Sequence, residues 1–219
     1  METTRVLVKR AKAGDADALF RLGYRLAFGR ARSRAGRRRA VALWRQAAAR
    51  GHIRALFYLA SSYDHGEGVR RDLRVAMKLY LRAANAGHDT AQYNLGFSYV
   101  HGDGVRRNRT RGVRWYRVAA RAGNVDAQRD LGYCLHEGVG VPVDYREAVY
   151  WYRHAARQGD AKAQFNLGLC YLDGDGVGRS QRWAHYWLKK AAVQGHPRSR
   201  TLVHEFTTQD RAPAGGTPR

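Results

Sequence analysis

The stretch Ala163-Gln-Phe-Asn-Leu-Gly-Leu-Cys-Tyr-Leu-Asp-Gly-Asp-Gly176, continued by Ala184-His-Tyr-Trp-Leu-Lys-Lys-Ala-Ala-Val-Gln-Gly195, decides the fold. Ala163, Leu167 and Tyr171 recur at i, i+4 and i+8, which puts them on one face of an α-helix. A Gly-x-Gly turn stops that helix, Ser180 is placed to cap a second one, and Gly195 closes the second. The same Leu-Gly pair stands at Leu167-Gly168, Leu131-Gly132 and Leu95-Gly96, 36 residues apart. Leu59-Ala60 lies one period earlier and Leu22-Gly23 lies 37 residues before that. A fixed period of this length is the mark of a repeat architecture, in which no unit buries its apolar face alone.

Other positions keep the same phase. The turns read His65-Gly-Glu-Gly, His101-Gly-Asp-Gly, Glu137-Gly-Val-Gly and Asp173-Gly-Asp-Gly. Alanine pairs follow at Ala83-Ala84, Ala119-Ala120, Ala155-Ala156 and Ala191-Ala192, and closing glycines at Gly51, Gly87, Gly123, Gly159 and Gly195. Asp72, Asn108, Asp144 and Ser180 are expected to cap each second helix, B, and His88, Asn124 and Asp160 to open each first helix, A. The small residue after the repeat leucine permits close helix approach. Residues 4–14 match a helix B without its helix A, and Pro197 to Phe206 a shortened final helix A. The expected organisation is one continuous stack over residues 1–206 and a disordered tail over 207–219.

The pattern A-x-x-x-L-G-x-x-Y-x-x-G-x-G-V, then D-x-x-x-A-x-x-W-Y-x-x-A-A-x-x-G, resembles the Sel1-like repeat, a relative of the tetratricopeptide repeat. The resemblance covers nearly all of residues 4–206. It implies an all-α, right-handed α-solenoid of antiparallel helix pairs that acts as an adaptor or assembly scaffold. The first repeat departs from the pattern, with Ala31 and Arg32 in place of Gly and Val and one inserted residue, so its turn must differ. Leu135 replaces the tyrosine of the fourth repeat. In the tetratricopeptide fold helix A lines a concave groove. That resemblance makes two rows candidate groove residues: Phe20, Phe57, Tyr93, Arg129 and Phe165, two before the repeat leucine, and Tyr24, Ser61, Phe97, Tyr133 and Leu169, two after it. Packing between neighbouring helices is the alternative role for both. Asn94 and Asn166 are candidates for bonding a ligand backbone or for joining helices.

The net charge of +22 is uneven. Through Arg121 there are 27 Lys and Arg against 8 Asp and Glu; after it, 13 against 10. Arginine supplies 34 of the 40 cations, which suits bidentate contact with phosphate or carboxylate; a GC-rich coding sequence gives the same bias. Arg70-Arg71 and Arg106-Arg107 follow the turn in consecutive repeats, and Arg34 and Arg37-Arg38-Arg39 (with Arg30 and Arg32) are expected near the same edge. A basic patch here serves an acidic protein partner or nucleic acid, or is a solvated surface.

Catalytic chemistry finds little support. His65 and His101 share a repeat position, but equivalent residues of stacked helices stand about 8–10 Å apart, too far for common zinc ligation. Asp173-Gly-Asp175-Gly begins like a calcium loop, yet Val177 stands at the next ligand position and Ala184 where the glutamate belongs. Gly174-x-Gly176-x-Gly178 follows no strand and precedes no Lys-Ser/Thr, so it is no phosphate loop. Cys134 and Cys170 are one period apart and expected as free, packed thiols. Trp44, Trp115, Trp151 and Trp187 lie on the helix B stripe as core residues. The expectation is a protein with no catalytic, metal or cofactor site and no membrane span, cytoplasmic because no signal peptide is evident. It is expected to bind a peptide or protein, acidic in character, with a nucleic-acid-binding solenoid as the alternative; the oligomeric state stays open.

Overall fold

Capping chemistry sets the helix boundaries. The computed structural model describes residues 3–29 and 33–209, with side chains as far as Glu205. Its helices among those residues are α1 (Thr4–Lys12), α2 (Ala16–Phe28), α3 (Arg34–Ala49), α4 (Ile53–His65), α5 (Leu73–Asn85), α6 (Asp89–His101), α7 (Arg109–Arg121), α8 (Val125–Glu137), α9 (Tyr145–Arg157), α10 (Ala161–Asp173), α11 (Gln181–Val193) and α12 (Pro197–Gln209). From α2 onward every helix starts after a residue whose side chain accepts the backbone N–H three residues on. Asp15, Ser33, Asp72, Asn108, Asn124, Asp144, Asp160 and Ser180 do so through oxygen. His52, His88 and His196 do so through Nδ1. A good N-cap of this kind contributes about 1 kcal/mol.

The fold class is all-α, built from antiparallel helix pairs of the α-solenoid type, as the periodicity predicts. The chain divides into two compact units, residues 1–115 and 116–219. In the first, Leu7, Leu19, Trp44, Leu59, Tyr80 and Leu95 are buried in one cluster. In the second, Leu131, Tyr152, Leu167 and Leu188 fill the corresponding positions. The residue after the repeat leucine touches the helix B ring of its own repeat. A Cβ on Gly132 would fall 2.7 Å from Tyr152 Cδ1, and one on Gly23 2.6 Å from Trp44 Nε1. The close approach expected of that position is therefore a contact with a bulky side chain.

Two boundaries differ from the repeat frame. Helix α3 begins at Arg34, three residues before the register of the other B helices, because Ser33 caps it from a chain that lacks the Gly-x-Gly turn. Gly29 ends α2 in an extended conformation, and residues 30–32, Arg30 and Arg32 included, lie outside the described residues. Helix α12 continues to Gln209, past Phe206; the rest of the expected tail, 210–219, also lies outside them.

Candidate functional site

The two helix A rows have different fates. Phe20 is 4% and Phe165 7% exposed, and each is stacked on the histidine that caps the next helix A. The ring centroids are 4.7 Å apart for Phe20–His52, 4.4 Å for Phe57–His88 and 4.4 Å for Phe165–His196. In the fourth repeat the same row holds Arg129 and the same cap position holds Asp160, joined by an ion pair of 2.9 Å. Arg129 also meets Asp126 at 2.7 Å and Asp130 at 2.8 Å. Burial opposes the charge of this guanidinium, but the hydrogen bonds and fields of Asp130, Asp126 and Asp160 outweigh it and raise its pKa. Row and cap thus match, aromatic with histidine and cation with carboxylate.

Protonation of two of these caps, His88 and His196, is held back. Burial pushes the His88 pKa down, and Arg54 adds to this against the opposing Asp89. Burial also lowers that of His196, helped by Arg198 and Lys162. A neutral ring is what the cap requires, since Nδ1 must accept an N–H.

In the row two residues after the leucine three aromatic rings face outward, while Ser61 is half-buried and Leu169 packs against the core. Tyr24 is 42%, Phe97 39% and Tyr133 51% exposed. Tyr24 leans on Phe28 and Tyr58, and Phe97 stacks on His101 at 4.0 Å. Tyr93 is half-buried beside Phe97. Asn94 and Asn166 lie beside the hydroxyls of Tyr80 and Tyr152 and favour their ionised forms. Tyr80 also donates to Asp64 Oδ2 at 3.2 Å. Burial raises both tyrosine pKa values, with Asp64 adding to the first and Cys170 to the second. Asn94 and Phe97 also line a cavity of about 330 Å³ together with Asp64, Tyr80 and Ser98.

Several arginines of the first unit lie at the A–B turns or at the helix B starts those turns touch. The second glycine of three turns, Gly68, Gly104 and Gly176, packs on the start of the preceding helix B. Gly68, at φ +73°, would bring a Cβ within 2.6 Å of Arg37 carbonyl, and Gly104, at φ +71°, within 2.8 Å of Leu73 Cβ. Only glycine fits both the backbone conformation and the space. The turn that rests on Arg37 and Arg38 also touches Arg71 through Gly66, and the next turn touches Arg107 through Gly102. Arg34, Arg38, Arg39, Arg70, Arg71, Arg106 and Arg107 are exposed, and Arg37 is half-buried. None of the eight pairs with a carboxylate among the described residues. Arg71 Nε instead donates to the Asp64 carbonyl at 2.7 Å.

No group of His, Cys, Asp and Glu among the described residues could hold a metal ion. His65 and His101 bond to the carbonyls of Ser61 and Phe97, one helical turn back. Cys134 and Cys170 are free and buried, and burial pushes the Cys170 thiol up to about 12. Trp44, Trp151 and Trp187 are buried and Trp115 packs against the core. No described helix is long and apolar enough to cross a membrane.

Stacked helix pairs, a buried repeat-to-repeat seam and exposed aromatic rings define a helical-repeat protein. The chain belongs to the Sel1 repeat family, which matches residues 16–52, 53–88, 89–124, 125–160 and 161–196. Proteins of this family are generally non-catalytic scaffolds for protein–protein interaction. The chain is similar to a protective antigen of uropathogenic Escherichia coli with an SLR fold: identity is 33% and TM-score 0.89, over 94% of this chain and 44% of that one. It thus spans less than half of that protein. A Sel1 repeat protein from Oxalobacter formigenes is 30% identical with TM-score 0.79, over 87% of this chain and 78% of that one. An immunity protein from Pseudomonas aeruginosa is 26% identical with TM-score 0.51, over 84% and 67%. No curated protein sequence matches the chain.

Sequence reasoning missed the matched pairs of row and cap residues. The signal was available, since phenylalanine accompanies histidine about 31 residues on in three repeats, and arginine accompanies aspartate in the fourth.

Proposed function

We propose that the chain is a non-catalytic adaptor that holds a peptide or partner-protein segment along its helix A faces, with the basic edge favouring acidic partners. The carrying observation is the exposure of Tyr24, Phe97 and Tyr133 on helices whose other faces are used in packing. Amphipathic rings of this kind supply much of the binding energy where one segment docks on another. Unpaired exposed arginines raise association rates with acidic segments. The free thiols fit a reducing compartment, and we place the chain in the cytoplasm as one solenoid over residues 1–206.

A nucleic-acid partner is the second reading, favoured by the concentration of cations before Arg121. One experiment separates the two: affinity capture with and without nuclease, using the wild type, a Phe97→Ala/Tyr133→Ala variant and an Arg70/Arg71/Arg106/Arg107→Gln variant. The adaptor reading expects an acidic protein that survives nuclease and is lost with the aromatic pair. Retention that disappears with nuclease, or that ignores both variants, overturns it.

A further inference from the structure

The third repeat carries a feature that its neighbours lack. Tyr99, Arg106, Arg107, Asn108 and Arg111 line one cavity of about 530 Å³ at the N-terminal end of α7. Part of its wall is fixed by neighbouring groups. The Asn108 N–H donates to the Tyr99 carbonyl at 2.7 Å, and Asn108 Oδ1 accepts from Arg111 N–H at 2.9 Å. The Gly102 turn packs on Arg107, and the Arg111 guanidinium lies over the Tyr99 ring, 4.5 Å from its centre. No carboxylate among the described residues pairs with any of the three arginines.

The other repeats show what is special. In the second the matching positions are Arg70, Arg71, Asp72 and Val75; in the fourth Pro142, Val143, Asp144 and Glu147; in the fifth Gly178, Arg179, Ser180 and Trp183. Only the third combines three arginines with an uncharged amide cap. The fourth puts Glu147 where Arg111 stands, and that carboxylate pairs with Arg117.

We propose that the cavity lined by Tyr99, Arg106, Arg107, Asn108 and Arg111 is a binding site for a phosphoryl group. A single carboxylate matches one guanidinium fork, whereas a phosphoryl dianion offers three oxygens to several forks at once. The start of α7 adds the favourable field of a helix N-terminus. Stacking on Tyr99 restrains Arg111 before the ligand arrives, so less of its freedom is lost on binding. The site stands independently of the adaptor reading.

The test is calorimetric titration of the full chain at physiological ionic strength. The probes are inorganic pyrophosphate and a phosphoserine peptide with its unphosphorylated counterpart. Saturable binding of either phosphorylated probe is expected; which one binds tells whether the group arrives on a small molecule or a peptide. Arg111→Glu and Arg106→Gln/Arg107→Gln are each expected to weaken it about tenfold or more, and Tyr99→Leu by less. Glu147 and Leu135 occupy these registers in the fourth repeat, so the variants should fold, as circular dichroism will check. Arg70→Gln/Arg71→Gln should leave the affinity within about twofold. Absence of saturable binding overturns the proposal. So does equal weakening by the Arg70/Arg71 pair, which would reveal a diffuse field and no site.

Discussion

The two units use the same repeat, but the arginines beside the turns of the first and those bound by the fourth repeat are treated differently. In the second unit, Arg129 is held by three carboxylates of its own repeat, and Arg117 is joined to Glu147 of the next. In the first, the arginines of the basic edge have no carboxylate partner among the described residues and, Arg37 apart, are exposed. A buried amide shows a parallel difference. Gln128 and Gln164 accept at Oε1 from Gln158 and Gln194, whereas Gln92 Oε1 is buried with no partner among the described residues. Carboxylates of the fourth repeat thus tie down guanidinium groups, whereas the arginines of the basic edge have no such partner among the described residues.

Substitutions can break or sharpen that contrast. The largest effect is expected where both units obey one rule. Gly132→Leu should destabilise by about 2–3 kcal/mol from overpacking against Tyr152. Gly132→Ala should lose less than about 1 kcal/mol, because Ala60 already fills this register in the second repeat. Denaturant midpoints at constant m check both, and an unchanged midpoint for the leucine variant removes the close-contact argument.

Next comes the charge contrast. Arg129→Leu leaves Asp126, Asp130 and Asp160 facing one another. It should lower stability by about 2 kcal/mol, below the range for fully buried pairs because Asp126 is exposed. The Arg70/Arg71/Arg106/Arg107→Gln variant should change stability by no more than about 0.5 kcal/mol. Equal losses in the two variants would abolish the distinction between the units.

The amide ladder should matter less. Gln158→Ala strands the buried Gln128 oxygen and should cost about 1 kcal/mol, read from thermal unfolding. No shift in that transition would mean that Gln128 finds another donor.

The smallest expected effect is with pH. His88 and His196 have folded pKa values below the ordinary 6.5, so the unfolded chain binds protons first as pH falls. Their stabilisation is complete above about pH 6.5 and is lost progressively as pH drops through the lowered folded values. Stability measured by urea should therefore be lower at pH 5.5 than at 7.5 by a fraction of a kcal/mol to about 1 kcal/mol. His88→Asn, which installs the cap used at Asn124, should flatten the dependence. A slope that the variant leaves intact would move the effect to other groups.

Much of this was legible in advance because caps and turns are local. Asp72, Asn108, Asp144, Ser180, His88, Asn124 and Asp160 could be assigned from spacing alone, since each acts on an N–H three residues away. The start of α3 was not legible. Once the Gly-x-Gly turn is missing, Ser33 competes as a cap and lengthens the helix toward its N-terminus. The two helix A rows could not be ranked either. Helical spacing places Phe20 and Tyr24 on one face, but which of them is covered depends on where the next repeat's histidine falls. The asparagines illustrate the same point, for the reach of Asn94 to Tyr80 depends on how two helices are offset.

The pairing of row and cap residues has a consequence for how such a chain can change. Each family repeat that contains a described pair contains both halves of it: Phe20 with His52, Phe57 with His88, Arg129 with Asp160 and Phe165 with His196. Duplication or deletion of a whole block, cut just after its cap residue, therefore carries a complete junction with it. A crossover within a block, for instance at a Gly-x-Gly turn, can join a phenylalanine to an aspartate or an arginine to a histidine. Recombination should accordingly be tolerated at residues 52/53 and 160/161 far better than at the turns, and the length of this array is free to drift in steps of one block.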